Sequence, residues 1–169
     1  MKPLDSELPE KVLSAVRKDL SHAEHLPGEF YSSEAVLDRE IERIFRQDWL
    51  AIGREEEIAK PGDYMAVDVV GEPIVVTRDE DGGLNAFSNR CRHRGVQVAP
   101  NGCGNTRRLT CPYHGWSYDL NGCLVGAPQM DKTEGFDVGD IRLAVLRVGV
   151  WHGWVFISLN PEPLPLEEF

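Results

Sequence analysis

Cys91 and His93 are separated by one residue, and Cys111 and His114 by two, in the segments Cys91-Arg92-His93-Arg94-Gly95 and Cys111-Pro112-Tyr113-His114-Gly115-Trp116. Two thiolates and two imidazoles delivered as mixed pairs suit a 2Fe–2S cluster in which one iron keeps two Cys ligands and the other takes two His. Each segment offers one soft sulfur and one nitrogen, so two similar loops facing each other can grip opposite ends of one cluster. A single zinc ion more often draws its Cys from one pair and its His from the other, which disfavours a zinc-stabilised binding module. The chemistry of such a cluster is one-electron transfer, tuned by ligand identity, hydrogen bonding and burial. Imidazole is neutral where thiolate is negative, so the His-ligated iron is the more easily reduced. Cys91 and Cys111 are expected on a buried iron, with His93 and His114 on an outer one.

The two loops, with Arg94-Gly95 after the first and Gly115-Trp116 after the second, resemble the Rieske domain at the N-terminal end of the catalytic alpha subunit of ring-hydroxylating non-haem iron oxygenases. The stretch from Leu26 through Trp49 to Gly62-Asp63-Tyr64 is also similar to that family's N-terminal region. The resemblance implies one 2Fe–2S cluster per chain and a mononuclear Fe(II) on two His and a carboxylate only in a catalytic domain that follows the Rieske domain. It implies a reductase or ferredoxin as electron donor. Transfer then runs to the catalytic domain of a neighbouring subunit in a trimer, as a step in aromatic-ring hydroxylation or oxidative demethylation. No residue of this chain is expected to be catalytic, and the substrate is not encoded in it. The alternative is a free-standing Rieske-type ferredoxin, which would lack the helical arm before Trp49.

The same resemblance gives meaning to several neighbours. High-potential Rieske proteins tie the two loops with a disulfide; the matching positions here are Val96 and Tyr113, which cannot form it. Trp116 stands where those proteins place a Ser hydroxyl donor, and Tyr118 matches a second donor position, with an ordinary strand residue as the alternative. Gly95 and Gly115 are expected to let the backbone turn beside the cluster and expose amide donors. Arg90, Arg92 and Arg94 crowd the first loop of an otherwise acidic chain; Arg94, beside His93, matches the family motif. His22 and His25 near Glu24 have the composition of a facial triad but read better as a solvated helix end. His152 reads as a structural residue inside an apolar strand.

A net charge of -10 over 169 residues argues against nucleic acid, which needs a basic face. The start, Met1-Lys2-Pro3-Leu4-Asp5, has no apolar run of the signal-peptide kind. No stretch has the length of a membrane span, so a cytoplasmic protein with no membrane partner is expected. Cys103 and Cys123 are expected to be reduced thiols.

The elements that must position the loops follow from periodicity. Glu10 to Leu20 and then Leu37, Ile41, Ile44 and Phe45, after an N-cap at Ser33, have helical spacing and predict a helical N-terminal arm over 1–48. From Trp49 the pattern changes to short β-branched runs broken by Pro61-Gly62-Asp63, Gly71-Glu72-Pro73, Asp81-Gly82-Gly83 and Asn121-Gly122. Tyr64–Val70, Pro73–Thr77, Leu84–Ser88, Trp116–Leu120 and Val150–Leu159 are expected strands. The fold class expected is mainly β: a Rieske-type antiparallel β-sandwich over 49–159 carrying two cluster-binding loops. The Pro-rich acidic end, 160–169, reads as a linker toward an absent catalytic domain.

Overall fold

The turn-punctuated apolar runs become short antiparallel strands, and the glycines mark where the chain reverses. The computed structural model describes residue 14 and residues 16–169. It falls into two units, one ending at Arg46 and one running from Gln47 to Phe169.

In the first unit, most of the helix expected at Glu10 to Leu20 lies outside the described residues. A 3₁₀ turn at Gly28–Tyr31 precedes helix α1, Glu34–Glu40, which continues as a π turn over Ile41–Phe45. Ser33 sits at the N-cap, and its carbonyl accepts from Leu37 N–H at 3.1 Å, but its side chain makes no capping bond. The apolar positions of this stretch are not uniformly covered: Val36 is buried, whereas Leu37 and Ile44 are about half exposed. The π turn explains part of this. Its wide bond from Arg46 N–H to Ile41 carbonyl adds a residue to the turn and rotates the later positions off the face set by α1.

The second unit carries β1 (Trp49–Arg54), β2 (Asp63–Val69), β3 (Glu72–Arg78), β4 (Leu84–Ser88), β5 (Gly102–Asn105), β6 (Leu109–Thr110), β7 (Ser117–Tyr118), β8 (Leu124–Gly126), β9 (Val145–Trp151) and β10 (Trp154–Ser158). Seven form one sheet in the order β1-β10-β9-β4-β3-β2-β5, and β6-β7-β8 form a second. Every pairing is antiparallel. Ile74, Val75 and Val76 of β3 are all fully buried, because the strand is covered on both sides. Val75 packs with Phe87, Leu109, Tyr118 and Leu124 under the small sheet. Ile74 and Val76 instead meet Val155 and Ile157 of β10, so the large sheet curls over its own far strand. Thr77 Oγ1 donates to the Leu120 carbonyl at 2.7 Å in the buried interior and fastens the small sheet to β3.

Two hairpins differ from the expected elements. β2 and β3 turn through Val70 and Gly71, both at positive φ, so Glu72 and Pro73 belong to β3 rather than to the turn. Val150–Leu159 is not one strand: it breaks at His152 (φ 48°) and Gly153 (φ 76°), which form the tight turn between β9 and β10. His152 is therefore an exposed turn residue and not a strand-interior one. The right-handed twist of the flanking strands favours such two-residue turns with both φ positive.

Residues 160–169 lie along this unit. Trp49 Nε1 donates to the Leu164 carbonyl at 2.7 Å, and Arg147 Nε to the Pro161 carbonyl at 2.8 Å.

Candidate metal centre

The two Cys–His loops have the same backbone. In the first, Cys91 N–H donates to the Val96 carbonyl at 2.8 Å and Gly95 N–H to the Cys91 carbonyl at 2.8 Å. In the second, Cys111 N–H donates to the Trp116 carbonyl at 2.8 Å and Gly115 N–H to the Cys111 carbonyl at 3.0 Å. Each loop closes with glycine in the left-handed region, Gly95 at φ 73° and Gly115 at φ 74°. A side chain there would be strained, so these glycines are what the turn requires. His93 and His114 occupy successive positions of this shared turn, which is why the two spacings differ by one residue while the loops superpose in their bonding.

The stems are held differently. The second loop is the end of the β6–β7 hairpin, with Leu109 opposite Tyr118 and Thr110 opposite Ser117. The first loop has no such ladder. Instead the fully buried Asn89 accepts with Oδ1 from Val98 N–H at 3.1 Å and Ala99 N–H at 2.9 Å, and donates with Nδ2 to the Ala99 carbonyl at 2.8 Å. One side-chain amide thus does for this stem what strand pairing does for the other. Nothing in the sequence pattern singled out Asn89; only its place two residues before Cys91 was a hint.

Burial sorts the four candidate ligands by element. Cys91 and Cys111 are 4% and 3% exposed and belong to the core beneath the loops, whereas His93 and His114 are exposed. Tyr118 is fully buried beside both sulfurs, with Oη 3.3 Å from Cys91 Sγ and accepting from Arg92 N–H at 2.9 Å. A thiolate has no proton to give, so with Cys91 ionised as a metal ligand the hydroxyl is the donor to sulfur while it accepts from Arg92 N–H. Burial first, then the Cys91 contact, pushes the Tyr118 phenol well above its ordinary range, so it stays protonated and able to donate.

The imidazoles lie together at the tip, their ring centroids 4.7 Å apart. His93 lies flat on Trp116, with centroids 4.9 Å apart and planes 12° apart. His114 is covered by Tyr113 of its own loop at 3.8 Å. Trp116 is 5% exposed and meets the edge of Phe136. His93 is held below its ordinary range, chiefly by loss of solvent, then by positive charge at His114 and Arg94. Its edge is open, but the indole covers its face. The neutral form so favoured is the one that binds a metal.

Other candidates stay apart from this centre. Glu24 pairs with Lys18 at 2.7 Å, and His22 Nδ1 lies 2.9 Å from Ser21 Oγ, so that acid–His cluster is bound to its own neighbours. Cys103 is exposed on β5, Cys123 is half-buried, and both are free thiols. Among the described residues, no three His, Cys, Asp or Glu are grouped as a single metal ion requires. No described helix is long and apolar enough to cross a membrane.

Comparison with known proteins fits this geometry. The model of the Rieske [2Fe-2S] domain matches residues 48–148, more than half of the chain. The chain belongs to the Rieske [2Fe–2S] domain family. This Rieske domain is 40% identical to the anthranilate 1,2-dioxygenase large subunit of Burkholderia cepacia, over 94% of the chain and 41% of the relative. It is 38% identical to the glycine betaine monooxygenase oxygenase subunit of Chromohalobacter salexigens, over 85% of the chain and 32% of the relative. Among solved structures, a quaternary ammonium Rieske monooxygenase superposes with a TM-score of 0.83 at 35% identity, covering 96% of the chain and 44% of its counterpart. Naphthalene 1,2-dioxygenase from Rhodococcus sp. gives 0.84 at 34%, covering 94% and 36%. The Rieske domain thus spans less than half the length of these relatives. The family's cofactor is a 2Fe–2S cluster, and the donor set here fits it: two buried sulfurs with a hydroxyl donor, and two imidazoles outside.

Proposed function

We propose that Cys91 and Cys111 hold the inner iron of a 2Fe–2S cluster, that His93 and His114 hold the outer one, and that the chain is the electron-accepting domain of a Rieske oxygenase. The observation that carries this reading is the sorting of ligands across two matching loops, thiols buried and imidazoles exposed. When bound, the cluster supplies reversible one-electron transfer. The protein's own part is positional. The twin turns fix the spacing of the loops, Tyr118 offers a proton to Cys91 Sγ, and Trp116 sets the plane of His93. Arg94 adds positive charge beside His93, and Gly95 and Gly115 set the turns. The buried core beneath the sulfurs keeps water from the inner end, while the imidazole edges stand open to a partner.

The wider reading rests on the relatives. Their names are those of dioxygenase and monooxygenase subunits more than twice this chain's length. We place the mononuclear iron, the substrate pocket and the choice between hydroxylation and demethylation in sequence outside residues 1–169. A ferredoxin or reductase supplies electrons, a neighbouring subunit of a trimer receives them, and the setting is the cytoplasm. Iron and acid-labile sulfide in equal amounts, about two of each per chain, with the electron paramagnetic resonance signal of a mixed-ligand cluster after reduction, are the expected result. Cys91→Ser or Cys111→Ser abolishes assembly, since a soft thiolate is required. Stoichiometric zinc without sulfide would overturn the proposal.

A further inference from the structure

The limbs that carry the two cysteines share a cleft of about 280 Å³. It is lined by Val98 and Ala99, which follow the first loop, and by Leu109 and Thr110 of β6, which lead into Cys111. Tyr64 and Arg108 line it too. None of these six is a candidate cluster ligand. Among the described residues, no hydrogen bond joins residues 96–100 to residues 107–111. No disulfide joins the loops either, since all four cysteines are free. Val98, Ala99 and Leu109 meet only as members of one apolar cluster.

The lining combines two chemistries. Val98, Ala99 and Leu109 are buried and apolar. Tyr64 is half-buried, and a Cβ at Gly104 would stand 2.6 Å from its Cζ and Oη, so the glycine leaves the room that this ring fills. The backbone of Arg108 is fixed: Thr106 Oγ1 donates to its carbonyl at 2.8 Å and accepts from its N–H at 3.3 Å. Among the described residues, neither the Arg108 guanidinium nor Tyr64 Oη has a hydrogen-bond or ion-pair partner. Other arginines of this unit are engaged: Arg54 and Arg78 pair with Glu56 and Glu55, and Arg142 and Arg147 donate to backbone carbonyls.

A planar guanidinium grips a carboxylate through two parallel hydrogen bonds. One cation beside apolar walls suits a monoanion with an apolar body. A phosphate dianion needs more donors and meets a chain of net charge -10. The volume lies just below the roughly 300 Å³ at which pockets for drug-sized ligands begin, so the ligand is small. We propose that the cleft binds a small monocarboxylate, with its carboxylate on Arg108 and Tyr64 Oη and its apolar body against Val98, Ala99 and Leu109, and that the bound acid clamps the two cysteine-bearing limbs together. The binding stands on the cleft alone, whereas the clamp rests on the reading of the loops as cluster ligands. A ligand that bridges both limbs favours the closed arrangement, so occupancy opposes the parting of the loops that cluster release requires.

The test is calorimetric titration of the cluster-loaded chain with pentanoate, expected to bind with Kd on the order of 1 mM. Acetate, inorganic phosphate and neutral pentanamide each lack one half of the chemistry and should bind at least several-fold more weakly. Arg108→Gln is expected to weaken pentanoate about tenfold, as loss of a charged hydrogen-bond donor does. Arg107→Gln removes the same charge one residue away, outside the lining, and should change it less than about twofold. At ten times Kd, pentanoate should slow bleaching of the cluster by a chelator that bears no carboxylate, by up to about elevenfold. Equal losses in the two variants, or phosphate binding as well as pentanoate, would reduce the site to surface charge and overturn the proposal. Binding that leaves the bleaching rate unchanged overturns the clamp. If Arg108→Gln fails to load its cluster, the ranking of the four probes on the wild type decides. Failure of the wild type to load one overturns the proposed function instead, and the same titrations on the chain as purified still decide the cleft.

Discussion

The imidazole of His93 and the indole of Trp116 lie face to face across the two loops, 4.9 Å apart and within 12° of parallel. The indole is buried and braced by Phe136, so the exposed imidazole takes its plane from a fixed surface in the opposite loop. Val96 and Tyr113 leave no disulfide at the positions that tie these loops in high-potential Rieske proteins. Stacking is a non-covalent tie in the same place.

Trp116→Leu is therefore expected to release the cluster to a chelator roughly 3–10-fold faster than wild type, the rate equivalent of an aromatic pair worth about 0.5–1.5 kcal/mol. Trp116→Phe keeps a ring against His93 and should recover most of the loss. The measurement is bleaching of the visible bands under excess chelator. Equal rates for the Leu and Phe variants would show that the indole acts by bulk alone.

Tyr118 bears on the potential. Its hydroxyl accepts from Arg92 N–H and, with Cys91 a thiolate ligand, donates to Cys91 Sγ. Donation to sulfur favours the reduced, more negative state. Tyr118→Phe should lower the midpoint by roughly 20–60 mV, the one-electron equivalent of a hydrogen bond worth 0.5–1.5 kcal/mol. With Trp116 in place of a second hydroxyl donor, the wild-type midpoint should itself fall in the lower part of the range of about −150 to +300 mV. Protein-film voltammetry on both proteins checks this, and an unchanged midpoint in the Phe variant would remove Tyr118 from the account.

Cys103 offers a test independent of the cluster. Partial burial, then the carboxylates of Glu57 and Asp63, push its thiol above the ordinary range. The thiolate is the reactive form, so alkylation at mildly alkaline pH should lag that of free cysteine and rise only as pH climbs past the usual thiol value of about 8.5. Glu57→Gln removes one source of negative charge and should speed the reaction at fixed pH. Peptide mapping after timed iodoacetamide treatment reads both effects; a rate at Cys103 matching free cysteine would contradict the assigned environment.

The candidate ligands stood out because cluster chemistry admits few residue types, and the glycine at the fifth position of each loop marks the turn that both share. The mainly β class was legible from β-branched runs between Gly-containing turns. Boundaries were less so. Val150–Leu159 read as one strand because it is mostly apolar on both sides of His152-Gly153, and only backbone conformation shows that this dipeptide reverses the chain. The helical spacing of Ile41, Ile44 and Phe45 does not betray the π turn they form, because a π turn changes the period without changing composition. The Trp116 stack and the Asn89 clamp were illegible for a common reason: each joins residues whose proximity is a product of tertiary folding.

Asn89 is the residue whose loss should be felt most in the first loop. Its amide satisfies three buried backbone groups, Val98 N–H, Ala99 N–H and the Ala99 carbonyl. Asn89→Ala leaves all three without that partner and opens a small cavity, a loss of about 2–4 kcal/mol from unsatisfied polar groups. Asn89→Asp keeps the two acceptor contacts, but it places a carboxylate oxygen against the Ala99 carbonyl in a fully buried site, so it should rescue little. The second loop, closed by the β6–β7 ladder, does not depend on this side chain. The expected outcome is a lowered unfolding midpoint in urea for both variants, with the slope unchanged. Amide hydrogen exchange should accelerate at Val98 and Ala99 and stay near wild type at Thr110 and Ser117. Uniform acceleration across both stems would show that Asn89 supports the whole unit rather than the first loop.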